Sequence, residues 1–261
     1  MNKGITFLGT AGDAAVFGKQ VRASGGIILK TEDNQFHINP GPGSLIQYRA
    51  VQANPRETNA ILLSSQKVID SNDANALIEA MTLDGLDKKG VLVMFASNQD
   101  LVTDYHKTLV ERYIQIEKGM RLAINDVEIK IGFSSDKEAC GFMFFAPEYV
   151  LGYIGHTGYR EVLGTDYKDC NILIVNCKNP SGIEDANSLN VDDVKKIVKE
   201  AKPNLCIITG FGEKILSGDI IDEARSIQKE TGIQTQAATD GLHVNPQNYS
   251  KGFRQQRLKT Y

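Results

Sequence analysis

The first residues in this sequence that could carry out chemistry lie in one polar loop, Ser64-Ser65-Gln66-Lys67. Ser64 and Ser65 have the Ser-x-x-Lys and Ser-x-Lys spacings at which a lysine activates a serine nucleophile in some hydrolases. In Ser-x-x-Lys hydrolases the pair begins a helix that aligns both side chains, whereas here it follows the apolar run Ala60 to Leu63. The pattern is also short and frequent by chance, so serine chemistry at Ser65 and Lys67 is the weakest of three functional hypotheses.

Two further residues, Asp70 and His156, have side chains that ligate metal ions. With His243 or Asp240 they would form an unorthodox site for a single metal ion. A histidine in a glycine-rich turn such as Gly155-His156-Thr157-Gly158 is more often a hydrogen-bonded turn residue. The sequence alone leaves both interpretations open.

Two glycine-containing turns expose backbone N–H groups that can hold an anion, Gly9-Thr10-Ala11-Gly12 and Asn39-Pro40-Gly41-Pro42-Gly43. The simpler interpretation is that they are tight turns between strands. The sequence has neither Gly-x-Gly-x-x-Gly nor a Walker lysine motif, so nothing supports nucleotide binding.

The elements that must position these residues alternate between short strands and helices. Apolar runs bounded by turn residues predict strands at Ile5 to Leu8, Gly26 to Lys30, Gln35 to Ile38, Ala60 to Leu63, Gly90 to Ala96, Val127 to Gly132, Gly141 to Phe145, Val150 to Ile154, Ile172 to Asn176 and Leu205 to Thr209. Helical spacing predicts helices from Asp73 onward (with Ala76, Leu77, Ala80 and Met81 on one side), at Leu101 to Tyr113, at Val191 to Ala201 and at Asp219 to Thr231. The turn Thr31-Glu32-Asp33-Asn34 predicts a hairpin between the second and third strands.

Composition excludes several classes of protein. The 261 residues carry 29 Lys+Arg against 32 Asp+Glu, so no surplus of positive charge is available for nucleic acid or an anionic membrane. No stretch approaches ~18 apolar residues and the start lacks a signal-peptide pattern, so we expect a cytoplasmic protein. Four widely spaced cysteines predict buried reduced thiols.

The sequence shows no low-complexity linker, and we expect a single domain over residues 1–248. Residues 249–261 form a basic C-terminal tail. The simplest interpretation of the tail is a solvated extension, and the alternative is a segment that docks or touches RNA.

Six local motifs in order resemble the metallo-β-lactamase superfamily, and especially its ribonuclease Z-like and short archaeal hydrolase-like members. They are Thr6-Phe7-Leu8-Gly9-Thr10, His37-Ile38-Asn39-Pro40-Gly41-Pro42-Gly43, Ala60-Ile61-Leu62-Leu63-Ser64 with the helix Leu77-Ile78-Glu79-Ala80-Met81, Gly152-Tyr153-Ile154-Gly155-His156-Thr157-Gly158-Tyr159, Ile207-Ile208-Thr209-Gly210-Phe211-Gly212 and Ala237-Ala238-Thr239-Asp240-Gly241. The resemblance covers residues 4 to 245 approximately. It implies an α/β fold, the four-layer αββα sandwich.

The resemblance also implies where a metal site would lie. Members of that superfamily bind zinc through a His-x-His-x-Asp-His loop, and the metal lowers the pKa of bound water to about 7. In this sequence Ser65 and Lys67 match the two leading histidines, Ile69 matches the aspartate and Asp70 matches the last histidine. Further positions of the superfamily's site fall on Asn39, Ser134, His156, Ser188 and Gly210.

Serine, lysine, isoleucine and glycine do not replace imidazole or carboxylate as zinc ligands. Asp70 and His156 remain, and two ligands fall short of the three or four that a protein zinc site needs. We therefore expect no metal and no other cofactor. We also predict that Lys67 forms a replacement ion pair with Asp70 in the vacated pocket.

The function expected from this pattern is that of a degenerate, non-catalytic superfamily member. It would bind a small molecule or a partner, as a homo-oligomer or as a hetero-oligomer with an active paralogue, and would bind nucleic acid only through that partner. The alternative is a phosphodiesterase or ribonuclease-like hydrolase with a rebuilt mononuclear zinc or manganese site around Asp70 and His156.

Overall fold

Two mixed β-sheets of seven strands each dominate the structure, a computed structural model that describes residues 2–250. The strands are β1 (Gly4–Gly9), β2 (Ser24–Lys30), β3 (Gln35–Ile38), β4 (Ala60–Leu62), β5 (Val91–Phe95), β6 (Arg112–Ile116), β7 (Arg121–Ile124), β8 (Val127–Gly132), β9 (Gly141–Phe145), β10 (Val150–Ile154), β11 (Ile172–Asn176), β12 (Leu205–Thr209), β13 (Gln234–Ala237) and β14 (His243–Val244). The first sheet has the order β14-β1-β2-β3-β4-β5-β6 and the second has the order β13-β12-β11-β10-β9-β8-β7.

Helices cover the outer faces of the sheets. They are α1 (Ala14–Gly18), α2 (Ser44–Ala50), α3 (Val68–Ser71), α4 (Ala74–Thr82), α5 (Asp104–Leu109), α6 (Val162–Asp166), α7 (Val191–Ala201), α8 (Glu213–Leu216) and α9 (Ile220–Thr231), with 3-10 turns at Pro55–Glu57, Ala96–Leu101 and Pro246–Tyr249. An Asn190–Asp193 capping box begins α7, and Asp219 and Gly232 cap the two ends of α9.

Three apolar cores separate these layers. The central core joins the facing sides of the two sheets and includes Phe36 and Leu62 from the first sheet and Phe144 and Ile174 from the second. A second core packs the outer face of the second sheet against α7 and α9. A third core packs the outer face of the first sheet against α2 and α4. The fold is therefore the αββα sandwich that the motifs predict.

Most predicted strands and helices are confirmed, including the hairpin in which Lys30 pairs with Gln35. The predicted helix over Leu101 to Tyr113 is wrong, because it ends at Leu109 and the chain then forms β6. The backbone of β6 pairs in parallel with β5 and forms one edge of the first sheet. Ala76, predicted on the buried side of α4, is exposed.

Two predictions about composition have clear outcomes. Cys140, Cys170, Cys177 and Cys206 are all free and buried, as expected. Within residues 2–250, no helix has both the length and the apolar character that a membrane crossing requires. The part of the basic tail from 251 to 261 lies outside the described residues.

Candidate functional site

The predicted site residues gather where parallel strands end. β3 is parallel to β4 in one sheet, and β10 is parallel to β11 in the other. Asn39 follows β3, Ser64 follows β4 and His156 lies just beyond β10. Because the carboxyl ends of parallel strands share one edge, the two sheets bring these residues together there.

Asn39 is the centre of the cluster. Its backbone has a φ of 57°, a left-handed conformation that asparagine tolerates better than most residues. Its Oδ1 accepts a hydrogen bond from the backbone N–H of Ser64 at 2.8 Å. Its Nδ2 lies 2.7 Å from the Ser64 hydroxyl, 2.9 Å from the Tyr153 hydroxyl and 3.1 Å from Asp70 Oδ1. A neutral amide therefore organises the position where the superfamily places an acid.

Asp70 is 5% exposed, and both of its carboxylate oxygens have neutral hydrogen-bond donors. The Ser65 hydroxyl donates to Oδ2 at 2.5 Å, and the Asn39 amide is the donor to Oδ1. Charge-assisted bonds of this kind stabilise an ionised carboxylate without a cation.

The predicted ion pair between Lys67 and Asp70 is wrong. Lys67 is exposed, and no residue between 2 and 250 forms an ion pair or hydrogen bond with its ammonium. Its backbone N–H instead donates to the Ser65 hydroxyl at 3.2 Å. An ammonium loses less hydration in solvent than in this buried cluster, where Ser65 and Asn39 already serve Asp70. The same arrangement gives no support to a lysine-activated Ser65.

His156 is buried beside Asp70, with 3.6 Å between its Nε2 and Asp70 Oδ2. That distance is too long for a hydrogen bond. Burial lowers the pKa of His156 below its usual range, while the negative charge of Asp70 opposes that shift. The imidazole is therefore neutral at pH 7.

The remaining predicted positions serve the loops around the cluster. The Ser134 hydroxyl donates to the carbonyl of His156 at 3.0 Å and so fixes that turn. Ser188 is buried but does not line the cavity beside Asp70. Gly210 has a φ of +66°, and a Cβ there would lie 2.8 Å from the Asn176 side chain, which fills the space that a histidine would need.

The two residues considered as additional ligands do not complete a site. Asp240 accepts hydrogen bonds from the Thr10 hydroxyl and the backbone N–H of Ala23, at 2.7 and 2.8 Å. His243 Nδ1 lies 2.9 Å from the Thr6 hydroxyl. Each side chain therefore has local partners on or beside β1 and β2.

Sequence reasoning missed Tyr153 and Asn176 as members of the site. The Tyr153 hydroxyl lies 2.9 Å from the Asn39 amide and 3.5 Å from that of Asn176. Burial raises the pKa of Tyr153 above its usual range, so its phenol is protonated. The available signal in the sequence was one polar side chain near the end of each of two apolar strands, Tyr153 in β10 and Asn176 in β11.

A cavity of about 30 Å³ lies beside Asp70, His156 and Tyr153. It is large enough for one or two water molecules. Most of its remaining wall is backbone or small side chains from the ends of three strands, β1, β2 and β12: Gly9, Ala11, Ser24, Gly26, Thr209 and Gly210.

The donor set does not fit the superfamily's metal site. Within the described chain, no three His, Cys, Asp or Glu side chains lie together in a way that could hold a metal ion. Asp70 and His156 are a pair, and their neighbours Ser65, Asn39 and Tyr153 are neutral hydroxyl and amide groups. These residues form hydrogen bonds with one another, and their neutral groups do not supply the further ligands that a zinc ion needs.

Comparison with known structures identifies the architecture as the metallo-β-lactamase fold. The fold protein YhfI from Bacillus subtilis superposes with a TM-score of 0.78 at 15% identity, covering 92% of this chain and 98% of that one. The short form of human tRNase Z superposes with a TM-score of 0.72 at 12% identity, covering 92% and 98% of the two chains. At these identities the likeness establishes the fold alone.

One relative is similar in sequence over almost its whole length. An uncharacterized protein of Methanocaldococcus jannaschii is 27% identical in an alignment 251 residues long, which covers 92% of this chain and 94% of that protein. No family model matches the chain.

Proposed function

We propose that this protein is a non-catalytic member of the metallo-β-lactamase fold that acts as a binding or partner subunit. The observation that carries the proposal is the state of Asp70, whose two oxygens are bonded to Ser65 and Asn39. A carboxylate that a metal ion once compensated would be costly to bury alone. Here neutral donors compensate it, and the other acids of the superfamily's site are replaced by Asn39, Ile69 and His156.

Exposed apolar side chains close in sequence to residues of the cavity wall support a partner subunit. Ser24 and Ile69 line the cavity. The exposed Val21 lies three residues before Ser24, and the exposed Val68 immediately precedes Ile69. Ile46 is next to Gln47, whose side chain packs close to Gly25. Apolar surface around a concave polar site is typical of protein interfaces, so we propose that a second protein chain covers this mouth.

Metal content tests the non-catalytic proposal. The full chain is purified without chelator or His tag, and bound metals are measured by inductively coupled plasma mass spectrometry. We expect well below one metal ion per chain, and the same low value for Asp70→Asn. Near-stoichiometric metal in the wild type that is lost in Asp70→Asn and in His156→Ala would contradict the proposal.

A second candidate function is hydrolysis at a rebuilt mononuclear site. It is favoured by the 3.6 Å separation of His156 Nε2 and Asp70 Oδ2, because two ligands of one tetrahedral zinc lie about 3.4 Å apart. Turnover of bis-p-nitrophenyl phosphate with added zinc or manganese tests it. Turnover that disappears in His156→Ala would establish this candidate, and no turnover above buffer would exclude it for that substrate.

The partner proposal predicts an effect of charge at the mouth. Ile46→Asp and Val68→Asp should each disrupt the assembly, because a carboxylate in an apolar interface loses hydration without a partner. Light scattering after size-exclusion chromatography measures the mass of a homo-oligomer, and co-purification measures a hetero-oligomer. Leu86→Asp is the matched control, since Leu86 is 88% exposed and lies after α4, distant in sequence from every residue that lines the cavity. If all three variants keep the wild-type assembly, or the wild type is a lone monomer, the proposal is wrong.

A further inference from the structure

A second pocket lies at the opposite edge of the sandwich from Asp70. Its walls come from the turns that join β2 to β3, β7 to β8 and β9 to β10, together with Asn245–Gln247. The pocket has a volume of about 140 Å³ and is lined mostly by apolar atoms. A cavity of about 150 Å³ holds one benzene molecule, so this pocket accommodates a small ring compound.

Tyr149 lines this pocket and has an unpaired polar group. The residue is 6% exposed, and its hydroxyl is buried with no hydrogen-bond partner among the described residues. Buried polar groups in native proteins almost always have a partner, and an exception often marks the place of a missing ligand or water. Burial and the nearby charges of Glu148 and Asp126 raise the pKa of Tyr149, so the phenol is neutral.

The lysines on the pocket wall form ion pairs, whereas two of its carboxylates do not. The two lysines of the wall, Lys3 and Lys30, form ion pairs with Glu32 and Glu57. Asp126 accepts a hydrogen bond from the Asn34 amide at 2.7 Å, and Glu148 accepts one from the Gln247 amide. Neither Asp126 nor Glu148 forms an ion pair with a residue between 2 and 250.

We propose that this pocket binds a small organic ammonium compound, with the ring on the apolar wall and the cation near Asp126, Glu148 and the Tyr149 hydroxyl. An ammonium group has donors and no acceptors, and these three side chains offer it acceptor oxygens. Two carboxylates without cationic partners favour a positive charge over a neutral polar group. The proposal does not depend on whether the Asp70 site is catalytic.

Benzylamine and benzyl alcohol form a matched pair of probes for the full-length protein at pH 7. They have the same ring and nearly the same shape, but only benzylamine is positively charged. Isothermal titration calorimetry should give an affinity for benzylamine at least tenfold higher than for benzyl alcohol. Equal affinities, or no saturable binding of benzylamine, would overturn the proposal.

Variants then locate the binding site. Glu148→Gln should weaken benzylamine binding at least threefold and leave benzyl alcohol unchanged, and Tyr149→Phe should weaken benzylamine with the fold intact by circular dichroism. Glu111→Gln removes the same charge from an exposed position outside the pocket and should have no effect. If Glu148→Gln and Glu111→Gln lower the affinity for benzylamine equally, the cation is attracted by the overall charge of the protein and the assigned site is wrong.

Discussion

At the scale of single residues, Asp70 shows how neutral hydrogen-bond donors stabilise a buried carboxylate. Ser65 and Asn39, which the sequence resemblance matches to a ligand and an acid of the superfamily's site, both contact the Asp70 carboxylate. The cluster excludes the exposed Lys67, so its negative charge is stabilised by dipoles. Removing one donor from a buried carboxylate costs more than removing one from an exposed carboxylate.

A matched pair of serines tests that reasoning. Ser65 donates to Asp70 and Ser181 donates to Asp192, both at 2.5 Å, but the first pair is buried and the second is exposed. Ser65→Ala should lower the free energy of unfolding by about 2 kcal/mol, whereas Ser181→Ala should change it by about 0.5 kcal/mol or less. Urea unfolding followed by circular dichroism measures both. Equal effects would show that the Ser65 bond has no special role in stabilising Asp70.

At the scale of elements, β3 carries a buried histidine that links three segments. His37 Nε2 lies 2.7 Å from the carbonyl of Gly25, which must accept, so the proton is on Nε2. Nδ1 then accepts from the Tyr48 hydroxyl at 3.0 Å, and that hydroxyl lies 3.0 Å from the Thr58 hydroxyl. Both ring nitrogens are satisfied in the neutral form. Protonation of Nδ1 would reverse the direction of the bond to Tyr48 and place an unpaired positive charge in the core.

The His37 chain predicts a specific loss of stability in acid. Burial lowers the pKa of His37 from 6.5 to about 4. Between those pH values the unfolded chain binds more protons than the folded chain. The contribution of His37 to the free energy of unfolding is therefore complete above pH 6.5 and is lost as the pH falls towards 4. From pH 6.5 to 4.5 the wild type should lose about 2–3 kcal/mol more unfolding free energy than His37→Gln does. Urea titrations at both pH values measure this difference, and identical losses would contradict it.

The sequence predicted elements well where local pattern and tertiary context agree. Val191 to Ala201 is a helix with the predicted ends, because its amphipathic face and its Asn190 cap both favour that structure. The helix predicted to continue to Tyr113 failed because Arg112–Ile116 pairs with β5, a contact distant in sequence. The short edge strands β7, β13 and β14 were missed because pairing at the edge of a sheet leaves little apolar signal in the sequence.

The candidate site was predictable by position but not by contact. The resemblance matched Asp70, His156, Asn39 and Ser134 to positions of one site, and in the structure these four residues lie near one another. The sequence could not show that Ser65 and Asn39 already satisfy Asp70, or that Lys67 stays in solvent. Those outcomes depend on distances between two sheets and on the cost of desolvating an ammonium, which residue types and spacing do not encode.

At the scale of the whole molecule, the central core and polar contacts at both edges of the sandwich join the two sheets. Apolar side chains of both sheets form one cluster. At the edge opposite Asp70, Asn34 follows β2 and is 3% exposed, and its amide donates to Asp126 Oδ1 at 2.7 Å. Its own oxygen accepts from the Asn125 amide at 2.6 Å. Because both sheets contribute to these contacts, we expect them to unfold as one cooperative unit, as a single domain over residues 1–248 requires.

Native-state hydrogen exchange read by mass spectrometry tests this cooperativity. The slowest amides of β4 and β5 in one sheet and of β11 and β12 in the other should exchange with the same opening free energy. Asn34→Ala removes the polar bridge at this edge and should lower both values together by about 1 kcal/mol. The variant loses two hydrogen bonds of the buried Asn34 side chain, but their partners Asp126 and Asn125 are exposed and bind water instead. Asn187→Ala, an exposed control, should lower neither. A decrease confined to β4 and β5 would mean that the sheets open independently, and the chain would then behave as two units.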